Sequence, residues 1–188
     1  SGIMDIGRYL QVYKQTIQTI KQHGHSVLGK LCEVDIDLSF TVERSKSYKY
    51  VEISEVNTPL YNGKRLQGSS LPGRAKYKVM KGDIILSRLI GNISFSIVME
   101  DDLIVTNGMC ALRPITTDNL IKILANLYHP YFRIQHQSMV TGSIMESISD
   151  SAISNILLVD NVDTDKYTKI YDSMKTLHQE LSTIVVDT

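Results

Sequence analysis

Cysteine is scarce in this chain: Cys32 and Cys110 are the only two in 188 residues. Both lie in apolar surroundings without metal-ligand spacing, which reads as two buried thiols in a reducing compartment rather than a disulfide or a metal site. Long hydrophobic runs are also missing. No apolar stretch approaches the roughly 20 residues that cross a bilayer, and the N-terminus has no basic region followed by an apolar segment, so the expected location is cytoplasmic, with no membrane partner. Net charge is absent, with 20 Lys and Arg against 20 Asp and Glu, whereas nucleic-acid-binding domains are usually basic. The short motifs of catalysis are absent too. There is no GxGxxG or GxxxxGK[ST] loop, no HExxH and no paired cysteine spacing. The five histidines (His23, His25, His129, His136, His178) are scattered and read as surface side chains rather than ligands. Glu100-Asp101-Asp102 reads as a solvated turn, because no basic or nucleophilic partner adjoins it. The expectation is a non-catalytic chain with no cofactor and no metal.

What is present is an uneven distribution of charge. Arg44 to Lys81 holds nine basic residues (Arg44, Lys46, Lys49, Lys64, Arg65, Arg74, Lys76, Lys78, Lys81) against two acidic ones, Glu52 and Glu55. Such asymmetry can make one basic face on a neutral protein, as phosphate binding requires; it equally describes a solvated, lysine-rich loop region. With 43% hydrophobic residues the chain can bury one substantial core.

Ile6, Leu10, Tyr13, Ile17 and Ile20 recur at spacings of four and three and predict an N-terminal helix with a narrow apolar seam, ended by Gly24. That seam suits pairing with another helix or packing on the domain. Val27–Val34 and Asp35–Val42 read as strands or turns. Tyr50–Val56 alternates and predicts a half-buried strand, and Asn57–Gly73 predicts a long irregular loop. Lys81-Gly82-Asp83 is a tight-turn signal before a strand at Ile84–Leu86. Gly91-Asn92 and Asn107-Gly108 punctuate further strands at Ile93–Met99, Leu103–Thr106 and Met109–Leu112. Helices are expected over Asp118–Tyr128 and Tyr131–Met139, a polar loop or short strand over Thr141–Asp150, and a strand over Ile153–Val159. Thr164–Val185 carries Tyr167, Ile170, Tyr171, Met174, Leu177, Leu181, Ile184 and Val185 on one face and predicts a second long helix.

The fold class expected is α/β (α+β): a mostly antiparallel, β-rich domain with short helices over residues 25–160. Helices over 1–24 and 163–188 flank it, able to pair as an antiparallel coiled coil. Side chains suited to phosphates and base edges concentrate in loops, in three places. These are Asn62, Lys64, Arg65 and Gln67; Arg74, Lys76 and Tyr77; and Arg133, Gln135, His136 and Gln137. From them the candidate DNA-binding residues are Lys64, Arg65, Arg74, Lys76, Tyr77, Arg133, Gln135 and Gln137. Gly82-Asp83 and the strand after it read as scaffold.

The run RAKYKVMKGDIILSR, the apolar hairpin after it and VTNGMCALRP resemble the target recognition domain of type I restriction-modification specificity subunits. HPYFRIQHQS, VTGSIMESIS, ISNILLV and a long terminal helix follow in the same order. The resemblance covers about Ser26 to Thr188. It implies a mixed α/β domain that grips double-stranded DNA, joined to long helices that act as spacers and dock an adenine methyltransferase subunit or a fused methyltransferase domain. It matches Gly82-Asp83 to the family's GD turn, with Asp83 capping backbone amides, and Gly142 to a loop glycine. The stretch LLVDNVDTDKY departs from the family's proline-containing end of the last strand and its Glu-Gln helix start. A full subunit has two recognition domains and this chain has one, so it is either a half-subunit that forms a homodimer through its helices or part of a longer protein. A different class remains beside this one, a non-catalytic protein-interaction module acting through the long helices.

Overall fold

Side chains alternate across a strand, so a strand buried on both faces reads as an unbroken apolar run. Ile84-Ile85-Leu86 and Leu103-Ile104-Val105 are such runs, and in the computed structural model of the protein they lie at the centre of two sheets. The structure describes residues 6–34, 36–60, 63–89, 93–139 and 147–186. Asn62, the Gly91-Asn92 turn and the loop glycine Gly142 lie outside them. In order, the elements are α1 (Ile6–His23), β1 (His25–Val27), α2 (Leu28–Leu31), β2 (Cys32–Glu33), β3 (Ser47–Val51), β4 (Lys64–Gln67), β5 (Ala75–Val79), β6 (Ile84–Ser87), β7 (Phe95–Ile97) and β8 (Leu103–Thr106). Then come β9 (Met109–Pro114), α3 (Thr117–Leu127), α4 (Pro130–Ser138), α5 (Asp150–Ser154), β10 (Leu157–Val159) and α6 (Thr164–Val186).

The sheets have strand orders β2-β9-β6-β7 and β4-β3-β8-β5, and β1 with β10 forms a separate ribbon. Among these strand pairs only β3 with β8 is parallel, so the mixed α/β, mostly antiparallel class holds. Alternation sorts the core into layers. Ile84, Leu86, Cys110 and Leu112 pack against Ile123, Leu124, Phe132 and Ile153 of the helices. Ile85, Met109 and Ala111 face the other way, against Val51, Leu103, Val105 and Val79 of the second sheet. Tyr48, Tyr50 and Ile104 form that sheet's far face, covered by Phe40, Leu66 and Leu71.

Several elements differ from the sequence reading. The strand expected to Val56 stops at Val51, because Ile53–Glu55 closes a 3-10 turn in which the Glu52 N–H donates to Glu55 Oε2 at 3.3 Å. The expected loop at 57–73 contains β4 and a 3-10 turn at Gly68–Ser70. Lys76 and Tyr77 lie on a strand, β5, rather than a loop. Ile153–Val159 divides into the end of α5 and β10.

The ribbon strand β10 pairs with β1 on one edge. On its other edge two amide side chains take the place of a neighbouring strand. Asn126 Oδ1 accepts from the Val159 N–H at 2.8 Å, and its Nδ2 donates to the Val159 carbonyl at 3.2 Å. Gln135 does the same for Leu157, at 2.8 Å each way. A buried strand edge is thereby satisfied without a strand.

The two long helices pack on different neighbours, α1 on α4 and β10, and α6 on α3. They meet the domain side by side, where the Asp160 N–H donates to the Gly24 carbonyl. Gly24 ends α1 with φ +91°, in the region that favours glycine. The seams are covered near the domain, with Ile20 and Met174 buried, and open away from it, with Leu10 51% and Ile184 62% exposed. None of the described helices is long and apolar enough to cross a membrane.

Candidate nucleic-acid interface

Strand register decides which of the basic residues share a place. Tyr50 of β3 pairs with Lys64, Val51 with Val105, and Ala75 of β5 with Thr106. Lys64 and Arg74 therefore stand at the same end of the second sheet, although β4 and β5 are its opposite edges. The Asn107-Gly108 turn carries this end to the first sheet: the Asn107 N–H donates to the Arg74 carbonyl at 3.0 Å and the Arg88 N–H to the Gly108 carbonyl at 2.9 Å. Helix α4 is pinned to the same end, because His136 Nε2 lies 2.9 Å from the Ser87 carbonyl. Arg133 and Gln137, at i and i+4, ride on that helix. The Gly82-Asp83 turn lies at the opposite end of β6, as expected of scaffold.

Each expected contact residue then has a definite surrounding. Arg65, Lys76 and Arg133 are exposed and make no ion pair or side-chain hydrogen bond with another described residue. Lys76 sits where the β5–β8 register shifts between Ala75 and Tyr77, a bulge that re-aims its side chain. Lys64 and Arg74 are exposed but engaged: Lys64 Nζ lies 2.8 Å from Glu55 Oε1 and Arg74 Nη2 lies 3.1 Å from Glu52 Oε1, with the Tyr50 hydroxyl 3.4 Å from Arg74 Nε. The Lys64 ammonium holds the Glu55 carboxyl below its ordinary range. Tyr77 is half-buried against the inter-sheet core, and Gln137 is half-buried. Gln135 is corrected: it is 2% exposed, and both ends of its amide are spent on Leu157, so it is scaffold and not a DNA contact.

The basic excess of residues 44–81 is smaller in space than in sequence. Lys46, Lys49, Lys64, Arg74 and Lys78 pair with Glu43, Glu100, Glu55, Glu52 and Asp102. Three of those carboxylates come from outside the segment. The acidic turn at 100–102 does find partners, since Glu100 and Asp102 take Lys49 and Lys78 and Asp101 Oδ1 accepts from the Lys81 N–H at 2.9 Å.

Polar networks brace the two ends of β6. Arg88 donates to the Met109 and Ile148 carbonyls at 3.2 and 3.1 Å and pairs with Asp150. It had no place in the sequence reading, because its partners lie 21 to 62 residues away. Asp83, 1% exposed, accepts from the Met80 N–H at 2.9 Å, which is the expected amide cap. It also receives a two-pronged grip from Arg113, at 2.8 and 2.9 Å. Cys32 and Cys110 are buried free thiols; burial pushes Cys32 up to about 12 and raises Cys110 further.

His136, expected at the surface, is fully buried. Burial holds its imidazole below the ordinary value of 6.5, against the opposing pull of the Ser87 carbonyl, and burial lowers His129 as well. The unfolded chain therefore takes up protons before the folded one, and stability falls as pH drops below about 6.5. Carboxylates are still ionised between pH 6.5 and 5.5, so that window isolates the imidazoles. The urea midpoint is expected to fall between pH 7.5 and 5.5, and to fall less in His136→Gln.

Comparison with known proteins places the fold. No family model matches the chain, and no curated protein does. Among solved structures, one chain comes from work on complex assembly and conformational transition of the type I R-M system. It superposes with a TM-score of 0.63 at 17% identity, over 87% of this chain and 45% of that one. The HsdS subunit from Thermoanaerobacter tengcongensis superposes with a TM-score of 0.60 at 18% identity, over 86% of this chain and 43% of that one. The chain thus spans less than half the length of these structures. Within that span, it has the fold of a type I restriction-modification specificity subunit.

Proposed function

We propose that this chain is the target recognition module of a type I restriction-modification system: it binds double-stranded DNA at a specific sequence and directs a partner or fused adenine methyltransferase or endonuclease there. The observation that carries the reading is the gathering of Lys64, Arg65, Arg74, Lys76, Arg133 and Gln137 around one end of a fold shared with such a subunit. Edge strands β4 and β5 are separated by two others, a span of about 14 Å at ordinary strand spacing. That is comparable to the roughly 12 Å width of the major groove, so the two basic edges can follow phosphates on either side of a groove. Arg133 and Gln137 on α4 are side chains of the kinds that read base edges. The chain itself is non-catalytic in this reading, and methyl transfer or cleavage belongs to the partner.

The open seams of α1 and α6 serve the second half of the proposal. Leu10, Leu177, Leu181 and Ile184 are 37 to 62% exposed, and they suit a methyltransferase subunit or a second copy of the chain. The test of the DNA reading is fluorescence anisotropy of the full chain with a mixed-sequence duplex. Binding that weakens with added salt is expected; no binding at low salt contradicts it.

A further inference from the structure

Glu52 and Glu55 are the only acidic residues between Arg44 and Lys81, and both are committed to cations of the interface. They sit three apart across the 3-10 turn Ile53–Glu55, a spacing that puts two side chains on one face. Glu55 uses one oxygen, Oε2, to accept from the Glu52 N–H at 3.3 Å, which leaves Oε1 for Lys64 at 2.8 Å. Glu52 Oε1 takes Arg74 at 3.1 Å. Between them Ile53 packs beside Gly108, where its Cδ1 lies 3.6 Å from the position a Cβ would occupy, so the turn is seated against the Asn107-Gly108 corner. The cations are the outer members of both pairs: Arg74 and Lys64 side chains are 58% and 64% exposed, Glu52 and Glu55 35% and 34%.

We propose that Glu52 and Glu55 are specificity-determining residues: resident competitors of DNA phosphate that hold Arg74 and Lys64 in ion pairs which a phosphate must displace. This rests on the DNA-binding reading. A cation with its own carboxylate adds little net charge to an encounter with unrelated duplex, so random backbone contact is weak. A docked target, held by its base contacts, brings phosphates close enough to draw the two cations outward. The carboxylates then repel any phosphate that arrives in another register, which discriminates against wrong sites rather than strengthening the right one.

The experiment is anisotropy of the full chain on a mixed-sequence duplex over a salt series. Removing both charges in Glu52→Gln/Glu55→Gln is expected to tighten binding to this unrelated duplex by about tenfold near 0.1 M salt, and to steepen the salt slope by about 0.9 for each cation freed. Glutamine keeps an oxygen for the Glu52 N–H, and Glu52→Gln alone, which likewise keeps a side-chain oxygen for its half of the capping box, is expected to give about half the change in slope. Adding Lys64→Gln and Arg74→Gln to the double variant should abolish the gain. Unchanged affinity and slope in the glutamine variants overturn the proposal while leaving the DNA reading intact. No binding by the parent chain or by any variant, at any salt, overturns that reading and the proposal with it.

Discussion

Arg113→Ala is expected to destabilise the domain by about 3 kcal/mol, read as a lower urea midpoint with an unchanged slope. Asp83 is buried at the mouth of β6, and among the described residues Arg113 supplies two of the three hydrogen bonds to its carboxylate, the third coming from the Met80 N–H. Without the guanidinium a carboxylate stays in the core with one amide for company, and an unpaired buried charge is among the costliest single defects. The figure is at the lower end for such a loss because the Arg113 side chain is 34% exposed, so water reaches one side of the site. The two residues share one interaction. Asp83→Ala/Arg113→Ala should therefore cost less than the two single losses added together. The site lies at the far end of the strands from the basic edges, so what DNA affinity the folded Arg113→Ala protein retains should be close to the parent's.

The second large effect concerns affinity and leaves the fold alone. Arg65, Lys76 and Arg133 are exposed cations with no resident counter-charge among the described residues. Each can meet a phosphate without first breaking an ion pair. The triple variant Arg65→Ala/Lys76→Ala/Arg133→Ala should lose about a hundredfold in affinity for duplex DNA near 0.1 M salt, from the counterion release of three contacts. Its thermal midpoint should stay within a few degrees of the parent's, since surface substitutions away from buried networks change stability by about 0.5 kcal/mol or less.

The central strands were legible in the sequence because each is buried on both faces: Ile84–Leu86 and Leu103–Val105 show unbroken apolar runs, the first after the Gly82-Asp83 turn and the second before the Asn107-Gly108 turn. The edge strands were hidden for the opposite reason. Lys64–Gln67 and Ala75–Val79 carry charge on their open sides, and their membership in a sheet depends on pairing with Tyr50 and Val105, which no local pattern records. The same holds for the site. Exposed Arg65, Lys76 and Arg133 can be picked out by residue type alone. Gln135 is also a polar residue in a polar run, yet its partner Leu157 is 22 positions away, and burial made it scaffold. The basic excess of residues 44–81 was overread, because Glu43, Glu100 and Asp102 fold back onto it from outside. Arg113 and Asp83 stand 30 positions apart and had no signature as a pair.

The most direct test of a phosphate-binding end is the slope of log affinity against log salt for the parent chain and for the Arg65→Ala/Lys76→Ala/Arg133→Ala variant on the same duplex. A negative slope for the parent, shallower in the variant by about 2 to 3, is the predicted result. Equal slopes in the two proteins, or a parent affinity indifferent to salt, would contradict the assignment of this end to DNA.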